Sequence, residues 1–127
     1  MVSIILVDDN KRILLQHRTK DAEKYPDTWG FFGGGIEGNE TPKECIVREC
    51  FEELEYRLKN PKLILRKEIA GKKFFLFIEK YNPSQKLILK EGQDMKWFKI
   101  DEASKINATQ FVKEIVKEIS PLLNSQT

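Results

Sequence analysis

Short runs of apolar residues, separated by turn-forming residues, recur along most of the chain. The β-prone run 2–7 is followed by the turn-forming residues 8–11 and by a second run at 13–18, a pattern that predicts a β-hairpin. Beyond residue 60, Gly and Pro residues separate further apolar runs. These runs predict four more strands, at 63–66, 74–78, 86–89 and 95–100.

Two other segments have the spacing of amphipathic helices. Thr41 and Glu44 have capping-box spacing and Pro42 occupies the first helical position, so a helix should begin here and end near 56–58. Apolar residues recur at helical spacing over 109–119, which predicts a second helix packed on the sheet. The buried stripe of the first helix should consist of Ile46 or Val47, Cys50 and Leu54.

The segment 19–38 is polar and is interrupted by Pro26 and by several glycines, which predicts one long loop. Long loops in compact domains often carry function. The strands and helices around it indicate an α/β fold, and the loop is a candidate for contact with a ligand.

The composition limits the classes of partner. A chain of 127 residues with a hydrophobic fraction of 40% should form one domain, spanning 1–127, around a single core. The 22 basic and 20 acidic residues nearly cancel to +2, which gives no reason to expect a nucleic-acid or membrane partner. The N-terminal apolar run is too short for a secretory signal, so a cytoplasmic location is expected. Cys45 and Cys50 should point to different sides of the first helix and form no disulfide.

Three glutamates near the end of the first predicted helix are the main candidates for chemistry. Glu49 and Glu53 are one turn apart and Glu52 lies three residues after Glu49, so like charges crowd one exposed side of the helix. A hard cation such as Mg²⁺ would relieve this repulsion, which the negative end of the helix dipole makes worse. Arg48, four residues before Glu52, is placed to orient that carboxylate. Taken alone, a charged helix face of this kind is more often solvated surface.

These glutamates belong to a longer pattern that resembles the Nudix box of the Nudix hydrolases. Glu55 stands where the box has a glycine suited to ending the helix, and Cys50 and Tyr56 stand at its apolar positions. The helix end is therefore expected to be extended or strained. The positions that match the box in register are Gly34, Glu40, Arg48, Glu49, Glu52 and Glu53.

The resemblance extends over essentially the whole chain. The stretch from Trp29 to Gly34 resembles the approach to the box, with Phe32 in place of a proline. The sequence Glu91-Gly92-Gln93, followed by Trp97, resembles the segment from which a loop glutamate reaches the metal site. The family resemblance implies an α/β/α sandwich with a mixed β-sheet.

The resemblance also implies an activity: Mg²⁺-dependent hydrolysis of a diphosphate linkage in a nucleoside diphosphate derivative, with Mn²⁺ as a possible substitute. A nucleoside triphosphate, cleaved to the monophosphate and pyrophosphate, is the leading substrate class. A dinucleoside polyphosphate, ADP-ribose or another nucleotide sugar is the alternative, and a non-catalytic nucleotide-sensing module is the alternative of another class. The resemblance is compatible with a monomer or a homodimer.

Individual roles follow from the same resemblance. It implies that the metal is held by Glu49, Glu52, Glu53 and the carbonyl of Gly33, with Arg48 orienting the carboxylates. The general base is either one of these carboxylates or Glu91.

Several further residues have both a functional and a structural interpretation. Glu40 should order the loop by pairing with Arg48, and Arg18 either holds a phosphate or is ordinary surface. His17 should lie on the face of its strand opposite Arg18, which disfavours a catalytic role. The aromatic residues that either stack on a base or fill the core are Trp29, Phe31 and Phe32.

Overall fold

A computed structural model describes residues 1–124 of the chain. Seven strands and three helices follow one another along it, and most coincide with the predicted segments. The strands are β1 (Val2–Val7), β2 (Ile13–His17), β3 (Trp29–Gly30), β4 (Phe32–Gly34), β5 (Lys62–Ile69), β6 (Lys72–Lys80) and β7 (Asp94–Phe98). The helices are α1 (Pro42–Leu54), α2 (Ile100–Ala103) and α3 (Gln110–Asn124).

The seven strands form one mixed sheet with β1 near its centre. The order is β3-β2-β1-β6-β5, while β4 pairs with β1 and β7 pairs with β2. Strands β1 and β6 are parallel and the other pairs are antiparallel. The pairing of β4 with the first half of β1, at Val2 with Gly34 and Ile4 with Phe32, brings the glycine-rich segment into the centre of the sheet.

The helices cover both faces of this sheet, which confirms the predicted α/β/α sandwich. On one face α1 contributes Ile46, Cys50 and Leu54 to a core that includes β1 residues. On the other face α3 contributes a second core stripe. Cys45 and Cys50 are free thiols, but both are buried in the core below α1 although they were expected on different sides of the helix. The α3 stripe consists of Val112, Ile115, Val116, Ile119 and Leu123. Burial of Leu123 favours the extension of α3 beyond its predicted end at residue 119.

The start of α1 is determined locally, as the capping box predicts. The Thr41 hydroxyl accepts a hydrogen bond from the Glu44 N–H at 3.1 Å, and the Glu44 carboxylate accepts one from the Thr41 N–H at 2.8 Å. The helix ends at Leu54, earlier than predicted, because Glu55 adopts the left-handed conformation with φ 53°. The expected extension of the helix is wrong, and the expected strain is located in one residue. A left-handed non-glycine residue costs about 1–2 kcal/mol.

The first prediction concerns this strained residue. Replacing Glu55 with glycine should raise the free energy of unfolding by about 0.5–1 kcal/mol, because glycine enters the left-handed region without a Cβ clash. The substitution also removes an exposed ion pair with Lys90, at 2.8 Å, which is worth less than about 1 kcal/mol. Urea unfolding would measure the difference. A Lys90→Met protein loses the ion pair alone, so finding Glu55→Gly less stable than Lys90→Met would contradict the prediction.

The predicted strand at 86–89 is absent, and the segment has another role. The Ile88 N–H donates to the Leu54 carbonyl at 2.9 Å, and the Lys90 N–H donates to the Glu53 carbonyl at 2.8 Å. The last carbonyls of a helix lack partners within the helix. The segment supplies donors to them, while Leu87 and Leu89 pack on the core below α1. The prediction of a strand here is therefore wrong, because the N–H groups of this segment bond to a helix end and not to a neighbouring strand.

The predicted loop at 19–38 is also only partly correct. Its second half contains the short strands β3 and β4, which pair with β2 and β1. Sequence patterns miss such strands because they are only two and three residues long and three of those five residues are glycines, at 30, 33 and 34. The short helix α2 was likewise not predicted.

Candidate active site

Glu53 lies at the centre of the site, between the end of α1 and β4. Its Oε1 accepts a hydrogen bond from the Gly33 N–H at 3.0 Å. The residue is only 2% exposed, and its Oε2 is buried with no hydrogen-bond partner among residues 1–124. The expectation of an exposed site is therefore wrong for Glu53, because β4 covers this side of the helix. A buried acceptor without a donor is costly, and a bound cation would satisfy it.

The surroundings of Glu53 oppose its negative charge. Burial, followed by the negative charges of Glu91 and Glu49, raises its pKa to about 9, while the hydrogen bond from the Gly33 N–H acts in the opposite direction. In the absence of a cation this carboxyl group therefore holds a proton at neutral pH. A divalent cation bound beside Glu53 and Glu49 would replace that proton.

Arg48 pairs with three neighbouring carboxylates. Its guanidinium lies 2.6 Å from Glu40, 3.0 Å from Glu49 and 3.2 Å from Glu52, and it also donates to the Gly35 carbonyl at 3.2 Å. The predicted pairs of Arg48 with Glu52 and with Glu40 are both present. The hydrogen bond from Arg48 lowers the pKa of Glu40 to about 2, with a further contribution from the Glu37 N–H. Glu40 therefore ties the loop before α1 to the helix.

The predicted ligand set is only partly assembled. Glu49 and Glu53 are near each other, whereas the Glu52 side chain is 56% exposed and accepts hydrogen bonds from Arg48. Within residues 1–124, no group of three acidic, histidine or cysteine side chains is gathered as a ready-made metal site. Carboxylates of like charge repel one another, and the pairing with Arg48 keeps the Glu52 carboxylate on the exposed side. The donor set nevertheless fits a hard cation, since Glu53 offers an unpartnered buried oxygen beside a second carboxylate.

Gly34 makes room for Glu49. A Cβ built on Gly34 would overlap the Glu49 carboxylate, whereas one on Gly35 would meet nothing within 4 Å. On Gly33 a Cβ would overlap the Val2 carbonyl, which belongs to the backbone of β1. The two glycines thus serve different purposes: Gly33 permits the pairing of β4 with β1, and Gly34 permits the position of the Glu49 carboxylate.

The second prediction uses this contrast. Gly34→Ala should lower activity by about 10- to 100-fold, since displacing a group around a metal site commonly costs that much. Its stability should change little, because the flexible end of Glu49 can move aside. Activity assays with Mg²⁺ titration and thermal unfolding would measure both effects. Gly35→Ala is the matched control and should behave as wild type in both assays; equal activities of the two variants would refute the role assigned to Gly34.

Glu91 approaches the same carboxylates from the segment after 86–89. Its charge contributes to the raised pKa of Glu53. The pKa of Glu91 is itself raised, first by partial desolvation and then by the charge of Glu49, while Arg18 lowers it. Glu91 and Arg18 therefore both lie within electrostatic reach of the site. The Arg18 Nε donates to the Lys24 carbonyl at 2.8 Å, and a phosphate contact by this residue stays a prediction.

A family model for the NUDIX domain matches residues 1–119. The chain belongs to the Nudix family. The human diphosphoinositol polyphosphate phosphohydrolase 2 is 29% identical over 92 residues, which are 67% of this chain and 50% of that protein. An RNA pyrophosphohydrolase from Halorhodospira halophila is 42% identical over 53 residues, 42% of this chain and 26% of that protein. The matches thus span half or less of these curated relatives.

Solved structures show that the Nudix fold of this chain is shared over nearly its full length. A MutT structure, from work on Aliivibrio salmonicida and Vibrio cholerae, superposes with a TM-score of 0.82 at 20% identity and covers 95% of both chains. An Ap4A hydrolase from C. elegans superposes with a TM-score of 0.78 at 19% identity and covers 98% of both. At these identities the similarity establishes the fold.

In the described part of this Nudix chain, no helix has the length and apolar character needed to cross a membrane.

The three aromatic residues considered for base stacking in this Nudix domain pack against other residues of the domain. Phe32 is 1% exposed and fills the core below α1, so the prediction that it stacks on a base is wrong. Phe31 is buried on the opposite face. Trp29 stacks on His17, with ring centroids 4.6 Å apart, and meets the edge of Phe98. His17 and Trp29 thus pack on the α3 side of the sheet, which agrees with the structural interpretation of both.

Some residues of the Nudix site were not singled out from the sequence. The Gly35 carbonyl accepts a hydrogen bond from Arg48. Near the end of β2, Asp27 accepts one from Gln93 and lies 2.8 Å from the Nε2 of His17. A backbone carbonyl has no sequence signal. Asp27 lies far from its partner Gln93 in the chain, so only the fold brings the two together.

Proposed function

We propose that this chain hydrolyses a diphosphate linkage in a nucleoside diphosphate derivative with Mg²⁺, or with Mn²⁺ in its place. The leading substrate is a nucleoside triphosphate, which would give the monophosphate and pyrophosphate. The single observation that carries this proposal is the buried, partnerless Oε2 of Glu53 beside Glu49 and Glu91. Such a group is costly in a merely structural helix, whereas it suits a helix that binds a divalent cation.

Each residue has a defined part in this reaction. Glu49, Glu53 and the Gly33 carbonyl would hold the metal together with Glu52, once that side chain leaves Arg48. When bound, the metal would neutralise charge on the phosphoryl oxygens and lower the pKa of a bound water molecule. Arg48 orients Glu49 and Glu52, and Arg18 would bind a phosphate. The bond between phosphorus and the bridging oxygen breaks as the oxygen of water bonds to phosphorus.

Glu91 is the group that we assign as general base. Glu49, Glu52 and Glu53 face Arg48 or the buried end of α1, whereas Glu91 lies on a solvent-exposed segment. Its raised pKa brings it closer to the operating pH, as an efficient base requires. The proton of the attacking water would pass to its carboxylate, and the leaving phosphate group would depart with the bridging oxygen.

The relatives support diphosphate chemistry more strongly than any one substrate. Their names specify an RNA pyrophosphohydrolase, a diphosphoinositol polyphosphate phosphohydrolase and, in Haemophilus influenzae, a dihydroneopterin triphosphate diphosphatase. Among structural neighbours, one is an Ap4A hydrolase and another is the NUDIX domain of Shewanella oneidensis NrtR with ADP ribose. A dinucleoside polyphosphate or ADP-ribose is therefore the second candidate substrate class for this chain.

A substrate panel with Mg²⁺ tests the proposal. Nucleoside triphosphates should release pyrophosphate, and chelation of the metal should stop the release. Release of ATP from Ap4A, or of AMP from ADP-ribose, in place of this reaction would select the second class. Binding of nucleotides by calorimetry with no turnover of any compound would contradict the enzymatic proposal and favour a nucleotide sensor.

A further inference from the structure

Gln93 forms hydrogen bonds that attach the segment carrying Glu91 to the end of β2. Its N–H donates to the His17 carbonyl at 2.9 Å. Its side-chain amide donates to the Arg18 carbonyl at 2.9 Å and to the Asp27 carboxylate at 3.2 Å. Three hydrogen bonds from one residue thus attach this segment to two separate parts of the chain.

The acceptors of Gln93 are themselves held in place. The Asp27 carboxylate lies 2.8 Å from the Nε2 of His17. The His17 ring stacks on Trp29, at an interplanar angle of 12°, and Trp29 packs on the core below α3. The side chain of Gln93 therefore binds to a rigid support.

The other side of Glu91 is anchored to α1. The Lys90 N–H bonds to the Glu53 carbonyl at 2.8 Å, and the Lys90 side chain pairs with Glu55 at 2.8 Å. Between the anchors, Gly92 has φ 89°, and a Cβ there would lie 3.0 Å from the His17 carbonyl oxygen. The glycine allows the turn and the close approach by which Gln93 reaches β2, directly after Glu91, whose charge acts on Glu53.

We propose that Gln93 is a positioning residue that holds Glu91 at the distance from the carboxylate cluster that proton transfer requires. This inference rests on the proposed function and on the role of Glu91 within it. A general base must lie within hydrogen-bonding reach of the proton that it removes. Misplacement by about 1 Å can cost about 100-fold in rate. Loss of the Gln93 amide removes the two side-chain hydrogen bonds of one of the two anchors of Glu91, keeps the backbone bond to His17, and leaves the metal-binding helix unchanged.

A double-mutant cycle tests this inference in the full chain. Gln93→Ala in the wild-type background should lower kcat by about 10- to 100-fold, with a change in KM below about threefold. In the Glu91→Gln background, Gln93→Ala should have an effect below about twofold, since the group that it positions is already lost. Equal effects in both backgrounds would overturn the proposal, as would wild-type activity in Glu91→Gln.

Hydrogen exchange supplies a measurement that does not depend on turnover. Gln93→Ala should accelerate amide exchange in peptides that cover 88–95, because the two side-chain hydrogen bonds that hold this segment are lost. Gln85→Ala is the matched control: Gln85 also makes two side-chain hydrogen bonds, both to the backbone of Arg57. That variant should keep kcat and the exchange of 88–95. Unchanged exchange in Gln93→Ala would overturn the inference even if the wild type hydrolyses its substrate, whereas an inactive wild type would refute the proposed function itself.

Discussion

Glu53→Gln should reduce kcat by more than about 100-fold, because even the loss of a group that supports a metal ligand costs about 10- to 100-fold. The metal-free variant should be at least as stable as the metal-free wild type. The activity is lost because a neutral amide is a poor ligand for Mg²⁺. Stability is kept because the substitution removes a buried carboxyl group that lies near the charges of Glu49 and Glu91. The glutamine amide can donate to Glu49, and its oxygen can still accept from Gly33.

The pH dependence of stability provides a separate signature of Glu53. Its pKa is raised from 4.5 to about 9 in the folded, metal-free chain, so the folded state binds a proton that the unfolded state has released. The free energy of unfolding should therefore fall as pH rises from about 4.5 to about 9. Glu53→Gln should flatten this slope, and Mg²⁺ should stabilise the wild type at the alkaline end more than it stabilises the variant.

Thermal unfolding in chelator, between pH 5 and 9, and a pyrophosphate-release assay with Mg²⁺ would measure these effects. Glu44→Gln is an unsuitable control because it disrupts the capping box. Glu114→Gln, in the exposed contact with Gln110 on α3, lies away from the site and should change neither quantity. Activity of Glu53→Gln within about threefold of the wild type would remove Glu53 from the metal site.

Arg48→Met should lower kcat by about 10- to 100-fold and lower the urea concentration at which half of the protein is unfolded. The substitution leaves Glu40, Glu49 and Glu52 without their shared cation. It also removes the stronger donor to the Gly35 carbonyl and leaves the weak Cys45 thiol at 3.4 Å. The carboxylates then repel one another, and the loop before α1 loses its attachment to the helix. Arg48→Lys keeps the charge, but a single ammonium group cannot reach all four acceptors. Its activity should lie between those of the wild type and Arg48→Met.

Steady-state kinetics and urea unfolding would test the role of Arg48. Arg57→Met is the matched control, since Arg57 is an exposed arginine that stacks on Phe51 at 4.3 Å and touches no carboxylate of the site. We expect it to keep kcat. If Arg48→Lys were as inactive as Arg48→Met, the number of hydrogen bonds would matter and the charge would not; if both retained full activity, Arg48 would have no orienting role.

The elements that the sequence predicted correctly depend on neighbours within a few residues. Thr41 and Glu44 determine the start of α1, and the 3.6-residue periodicity of α3 determines which side faces the sheet. The pair between Arg48 and Glu52 follows from their spacing of one turn. The Nudix box register added longer-range information, because it placed Gly34 and Glu40 beside the helix that carries the glutamates.

The features that the sequence did not reveal all depend on which distant segments meet. Glu53 is buried because β4, twenty residues earlier, covers it. The 86–89 segment caps α1 because its N–H groups reach the carbonyls of a helix end. Phe32 enters the core because β4 pairs with β1 in one particular register.

The sequence alone therefore determined the family, the approximate positions of the two long helices and the identity of the charged cluster, because these follow from local spacing and from a motif in register. Only the tertiary structure decided which glutamate has a buried oxygen without a hydrogen-bond partner, which one is exposed and paired with Arg48, and how Gln93 attaches the segment that carries Glu91. Burial and hydrogen-bond satisfaction depend on contacts between residues remote in the chain, and periodicity contains no information about those contacts.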